Sequence, residues 1–206
     1  MPIHTIVFDL GGVLIDWNPR YLYRKIFKDD SATMEYFLSN ICTQSWNVQQ
    51  DAGRSFQEAC TLLKRQYPEY AESIDAFDSR WEEMMRDAHW ETVALLKHLK
   101  HTGIALYALT NWSREKFPIA RHRFDFLKLF EGILVSGEVG LKKPDPEIYQ
   151  LLFDTYAFEA EGSVFIDDSL ENTKAAQQVG MHAIHFQDAS QLKKALQDLG
   201  LLGHYH

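Results

Sequence analysis

The sequence predicts an α/β protein: a doubly wound parallel sheet with a small helical subdomain inserted after the first strand. From about residue 89 onward, short apolar runs alternate with helical segments, the pattern of successive βαβ units. Between about residues 16 and 88 that alternation stops, and helical periodicity alone remains. The expected division is therefore residues 1–15 and 89–206 as the sheet-forming core, with 16–88 as the helical insert. A chain of 206 residues is long enough for one sizeable core and such an accessory piece.

Residues 3–9 read as the first strand. Ile6-Val7-Phe8 is apolar throughout, as in a strand buried on both faces, and it runs straight into Asp9. Gly11 and Gly12 follow, which lets the backbone turn sharply and lets a ligand approach its N–H groups. Pro19 suits a first helical position, with Asn18 as its cap. Helical segments are then expected at 21–27, 32–39, 56–67 and 74–85, with breaks at Asp51-Ala52-Gly53 and Tyr67-Pro68-Glu69 and no strand among them. An amphipathic helix at 92–100 stops at Gly103 and leads into a buried strand at 104–109. Strands at 132–135, 163–166 and 183–186 alternate with helices at 146–156 and 172–179, the last closed by Gly180.

Bulk composition narrows the function. The net charge of −8 argues against a nucleic-acid surface, which needs clustered Lys and Arg. It leaves room for a small anionic substrate held by a local cation. No run is apolar enough to span a membrane or to serve as a signal peptide. Cys42 and Cys60 lack any metal-ligand spacing, so both read as small core residues in a reducing, cytoplasmic setting. The ending Gly203-His204-Tyr205-His206 is too short for a metal site. A monomer or homodimer is expected.

Four predicted strands end in polar residues: Asp9, Thr110-Asn111, Ser136 and Asp167-Asp168. Taken singly, such residues are ordinary loop residues. Parallel strands, however, gather their C-terminal ends on one sheet edge, where ligands bind in open α/β sheets. Asp9 with Asp167 and Asp168 would be a repulsive cluster without a cation, and Mg²⁺ is suited to carboxylates plus a substrate phosphate. Thr110 and Asn111 supply side-chain donors, Gly11 and Gly12 supply N–H groups, and Lys143 supplies a cation from a proline-stiffened loop. The ensemble describes a phosphoryl site with a carboxylate nucleophile.

These stretches resemble the haloacid dehalogenase-like hydrolase superfamily across the whole chain. Val7-Phe8-Asp9-Leu10-Gly11-Gly12-Val13 is similar to its first motif, Leu109-Thr110-Asn111 to its second, Lys143-Pro144-Asp145 to its third, and Phe165-Ile166-Asp167-Asp168-Ser169-Leu170-Glu171-Asn172 to its fourth. The resemblance implies a Rossmann-like core, a helical cap over residues 16–88, and Mg²⁺-dependent hydrolysis through an aspartyl-phosphate. Asp9 and Lys143 would be catalytic. Gly12, Thr110, Asn111 and Lys143 would bind phosphate; Asp9, Asp167, Asp168 and the Gly11 carbonyl would hold the metal. One position departs: most phosphatases of the family carry an acid–base aspartate two residues after the nucleophile, where this chain has Gly11. Some sugar-phosphate phosphatases with an Asp-Leu-Gly start look similar. The expected substrate is a small phosphorylated metabolite, with sugar phosphates among the candidates. A 2-haloacid dehalogenase and a non-catalytic binding protein are the alternatives. The Asp167-Asp168 pair disfavours the dehalogenase, whose metal-free site carries neutral residues there. Within the insert, Trp17 and Trp46 are the named candidates for substrate contact, with Asp16, Asn18 and Asp51 beside them. Trp112 and Ser113 are candidates for the rim of the entrance.

Overall fold

The computed structural model describes residues 2–28 and 30–203; His204, Tyr205 and His206 of the ending lie outside them. In chain order the elements are β1 (Thr5–Phe8), β2 (Ile15–Trp17), α1 (Arg20–Phe27), α2 (Ser31–Asn40), α3 (Gln44–Asp51), α4 (Phe56–Gln66), α5 (Ala71–Ser79) and β3 (Met85–Ala88). There follow α6 (Trp90–Thr102), β4 (Ala105–Thr110), α7 (Phe117–Arg123), β5 (Gly132–Val135), α8 (Ser136–Val139), α9 (Pro146–Tyr156), β6 (Ser163–Asp167), α10 (Leu170–Gln178), β7 (His182–His185) and α11 (Ala189–Asp198).

Five strands form one parallel sheet in the order β5-β4-β1-β6-β7. β1 lies in the middle because the chain builds outward from it on one side and then crosses to the other. Its alternate residues therefore feed two cores. Ile6 and Phe8 join the larger one, with Leu96 and Leu99 of α6 and Leu192 and Leu196 of α11. Val7 joins the smaller one, with Ile148, Tyr149 and Leu152 of α9 and Ala175 and Ala176 of α10. The reversal of strand order places a crevice at the C-terminal ends of β1, β4 and β6.

The helical insert matches the expected architecture, and two details correct it. β2 and β3 pair antiparallel, where no strand was expected, with Ile15 opposite Ala88 and Asp16 opposite Asp87. Strands this short carry no readable alternation; their pairing exists because both ends of the insert must leave the core at one place. The second correction is α3, whose apolar stripe is too thin to read and whose start is marked by Thr43 accepting the Trp46 N–H at 3.1 Å. Outside the insert, α7, α8 and α11 are also helices that the sequence reading did not expect. The assigned α1 begins at Arg20, yet Asn18 Oδ1 accepts the Arg20 N–H at 3.0 Å, the capping role expected of it. Cys42 and Cys60 are free and buried among the insert's apolar residues. Among the described residues, no helix is long and apolar enough to cross a membrane.

Candidate functional site

The crevice gathers three of the four polar strand ends. Asp9 is 7% exposed, Lys143 2% and Asp167 is fully buried. The Asp9 N–H donates to the Ile166 carbonyl at 2.8 Å, which continues the β1–β6 pairing one step past the strand and aims the side chain out of the sheet edge. Asp9 Oδ1 accepts the Leu10 N–H at 2.8 Å and lies 2.8 Å from Lys143 Nζ. Among the described residues, Asp9 Oδ2 has no protein donor.

Lys143 places one N–H on each of three acceptors: Asp9 Oδ1, Asp167 Oδ2 at 2.7 Å and the Leu109 carbonyl at 2.9 Å. An ammonium so deeply buried survives only with that complete set. Burial by itself would depress its pKa, but Asp167 and Asp9 hold it above the ordinary 10.5. Burial pushes the Asp9 carboxyl from 3.8 up to about 7 against the pull of Lys143, and Asp167 and Asp168 add to the rise. The lysine thus stays charged and faces more negative charge than it neutralises.

Asp167 is fully engaged. Its Oδ1 accepts the Ser169 N–H at 2.8 Å, and the Asn172 side-chain amide reaches both its oxygens at 3.1 Å. Asp168, by contrast, is exposed and adds the third carboxylate, so that Asp9, Asp167 and Asp168 each offer an oxygen within 4.8 Å of the others. The donor set is hard oxygen with excess negative charge and suits a divalent cation such as Mg²⁺. Gly12 is shaped by this cluster: it has φ +77°, and a Cβ there would lie 2.3 Å from Asp168 Oδ2. Gly11 next to it is unconstrained, with no atom within 4 Å of a built Cβ.

Thr110 is buried at the end of β4, beside β1. Asn111, expected among the phosphate donors, is committed elsewhere. Its Oδ1 accepts the Lys143 N–H at 2.8 Å and its Nδ2 donates to the Lys143 carbonyl at 2.9 Å, so it fastens the lysine loop to β4. Ser136 is likewise drawn away from the crevice. Its hydroxyl accepts the Trp112 backbone N–H at 2.9 Å and donates to the Asp51 carbonyl, which ties the end of α3 to the ends of β4 and β5. The Asp51 carboxyl is pushed by burial up to about 7, opposed by the Ser113 N–H.

The two tryptophan candidates part company. Trp46 does not reach the crevice: it is 8% exposed and packs edge-on against Phe56 and Phe77 inside the helical insert. Trp17 is half-buried at the junction of insert and core, stacked on Trp81 at 6.3 Å between centroids. Trp81 in turn meets Trp112 at 5.6 Å. Asp16 is occupied by the Tyr21 hydroxyl, and Asn18 by its capping bond. Sequence reasoning missed the duty of Asn172; a polar residue five positions after a strand-end aspartate is the one signal it left.

Known proteins share this framework. A structure of the HAD family enzyme bt-2542 of Bacteroides thetaiotaomicron, solved as a magnesium complex, superposes with a TM-score of 0.72 at 23% identity, covering 91% of this chain and 95% of that one. The sesquiterpene phosphatase astK of Aspergillus oryzae is 32% identical over 185 residues, 89% of each chain. The phosphorylated carbohydrates phosphatase of Thermotoga maritima is 23% identical over 186 residues, 89% of this chain and 84% of its own. Other curated relatives are longer, and this chain spans 36% of one and 39% of another. The sequence profile of haloacid dehalogenase-like hydrolases matches residues 3–180, and with the parallel sheet and the carboxylate–lysine crevice this chain belongs to that hydrolase family.

Proposed function

We propose that the chain is a Mg²⁺-dependent phosphatase that removes phosphate from a small organic phosphate ester through an aspartyl-phosphate at Asp9. The observation that carries this reading is the asymmetric clamping of Asp9. One carboxylate oxygen is pinned by Lys143 and the Leu10 N–H, and the other has no donor among the described residues. A pinned carboxylate with one free oxygen is positioned as a nucleophile.

Asp9 Oδ2 attacks phosphorus, a new O–P bond forms, and the bond to the leaving oxygen breaks; the alkoxide departs as the alcohol after taking a proton from water. Lys143 neutralises charge on the transferring group while Asp167 and Asn172 hold it in place. Mg²⁺ held by Asp9, Asp168 and the Gly11 carbonyl, with Asp167 alongside, would screen the carboxylates from the phosphoryl oxygens. Thr110, at the end of β4, would donate to the phosphate; the Gly12 N–H, also expected as a donor, is taken by the Ile15 carbonyl at 2.9 Å. Water then cleaves the acyl phosphate and returns Asp9. Gly11 brings no acid to the leaving oxygen, so esters with poor leaving groups turn over slowly, by about 10²–10⁴-fold relative to an assisted site. The two relatives named as phosphatases of organic phosphates support the reaction class and differ in substrate.

The test is phosphate release from a panel of phosphate monoesters with Mg²⁺ or with EDTA, run beside Asp9→Asn. The expected result is Mg²⁺-dependent release that drops by at least ~10⁴-fold in the variant. Release that survives Asp9→Asn, or halide release from 2-haloacids in excess EDTA, would overturn it.

A further inference from the structure

A group of three tryptophans sits beside the crevice and is not used by the chemistry above. Trp17 ends β2, and β2 is folded back against the nucleophile turn: the Gly12 N–H donates to the Ile15 carbonyl at 2.9 Å. Trp112 comes directly after Asn111, whose side chain holds the Lys143 backbone. Trp81 comes from the helical insert and bridges the other two, with ring centroids at 6.3 Å and 5.6 Å. The rings of Trp17 and Trp112 thus follow closely in sequence on the two turns beside Asp9, and Trp81 comes from the insert just before β3.

Two features separate this group from ordinary core packing. The indole N–H groups of Trp17 and Trp112 are buried without any acceptor among the described residues, although Trp112 is only 5% exposed. Buried tryptophan N–H groups ordinarily find a partner. The second feature is position. Asp9 is 7% exposed, and the Trp81–Trp112 contact joins the insert to the core beside it.

Resting on the phosphatase reading, we propose that Trp17, Trp81 and Trp112 form an aromatic subsite for the organic half of the ester. The occupant is an apolar alcohol, flat or unsaturated enough to lie against indole rings. At least one of its oxygens, the ester oxygen included, accepts from Trp17 or Trp112. Ring–ring contact between insert and core is exchanged for ring–ligand contact when the substrate enters. A polyhydroxylated sugar does not fit this wall, because three rings with two donors leave most of its hydroxyls unpaired.

The experiment compares kcat/KM of the full chain with Mg²⁺ on geranyl phosphate and on glucose 6-phosphate, both esters of primary alcohols. Wild type is expected to favour geranyl phosphate by ~10-fold or more. Trp81→Leu is expected to cut that ratio ~10-fold or more through KM, and Trp112→Phe, which keeps a ring and loses the donor, by ~3–10-fold. A second readout needs no turnover and no variant: geraniol added to the Mg²⁺- and phosphate-loaded protein produces a saturable change in indole fluorescence. Preference for glucose 6-phosphate, an unchanged ratio in both variants, or no saturable response to geraniol would overturn the subsite. Saturable geraniol binding with no monoester hydrolysed would overturn the phosphatase reading and leave the subsite standing.

Discussion

The strand-end crevice and the tryptophan junction beside it treat their polar groups in opposite ways. In the crevice, Lys143 has three acceptors and the Asp167 oxygens have donors from Lys143, Asn172 and Ser169. At the junction, two indole N–H groups have none. A buried charge tolerates no vacancy, since each unmade bond at a charged group costs more than at a neutral one. A neutral indole can wait for a partner from outside. Lys143 and Asp167 are therefore fully partnered in the free protein and hold Asp9 in place, with its Oδ2 left open for a reaction. The junction is incomplete and is suited to discriminate among ligands.

The largest effect that would break this contrast is on stability. Lys143→Met removes the cation from among Asp9, Asp167 and Asp168 and leaves buried carboxylates facing one another. Urea unfolding at neutral pH in EDTA is expected to show a loss of about 3–5 kcal/mol. A variant as stable as wild type would mean that the crevice is not held together by its charges.

A pair of neighbouring glycines sharpens the same point. Gly12→Ala would drive a methyl group into Asp168 at a left-handed φ, and is expected to weaken Mg²⁺ binding ~10–100-fold by displacing that carboxylate. Gly11→Ala meets open space and should leave the melting temperature unchanged. Calorimetric Mg²⁺ titration and thermal melts of both variants decide this; equal Mg²⁺ affinity in Gly12→Ala and wild type would refute the tight packing of turn and carboxylate.

The smallest effect concerns the joint between the two regions. Asp51 carries a carboxyl whose pKa is raised from 3.8 to about 7, chiefly by burial. A raised carboxyl favours the folded state at low pH, and that advantage disappears as pH climbs through the folded value. Asp51→Asn keeps an acceptor for the Ser113 N–H and cannot ionise. It should melt a few degrees above wild type at pH 8, a difference of about 1 kcal/mol, and the gain should shrink steadily below about pH 7 and vanish near pH 4. An identical pH profile for both proteins would show that Asp51 stays solvated.

Apart from Lys143, which a proline-stiffened loop carries, the site residues legible in the sequence share one property: each sits where an apolar strand stops. Asp9, Thr110 and Asp167 stood out because a run of buried residues ends at each of them. The duties of Asn111 and Ser136 were not legible by the same signal. One fastens the Lys143 loop and the other docks α3, and both bonds join segments far apart in the chain. The paired strands β2 and β3 escaped for the same reason: three and four residues are too few to show a period, and the partner of each lies across the whole insert. Trp46 and Trp112 show the limit most simply. Both are tryptophans after helical or strand-end signals, and packing puts one in the middle of the insert and the other at the junction.

By itself, then, the sequence determined the parallel sheet, the inserted helices and the carboxylates and lysine that meet at the strand ends. These follow from local periodicity and from the rule that parallel strands point their C-termini one way. Tertiary structure alone decided which polar residues face the crevice and which serve as fasteners. It also decided which aromatic rings are core and which have unpaired donors. Those outcomes depend on contacts between distant segments, and no periodicity along the chain encodes the partner that a buried N–H group finds or lacks.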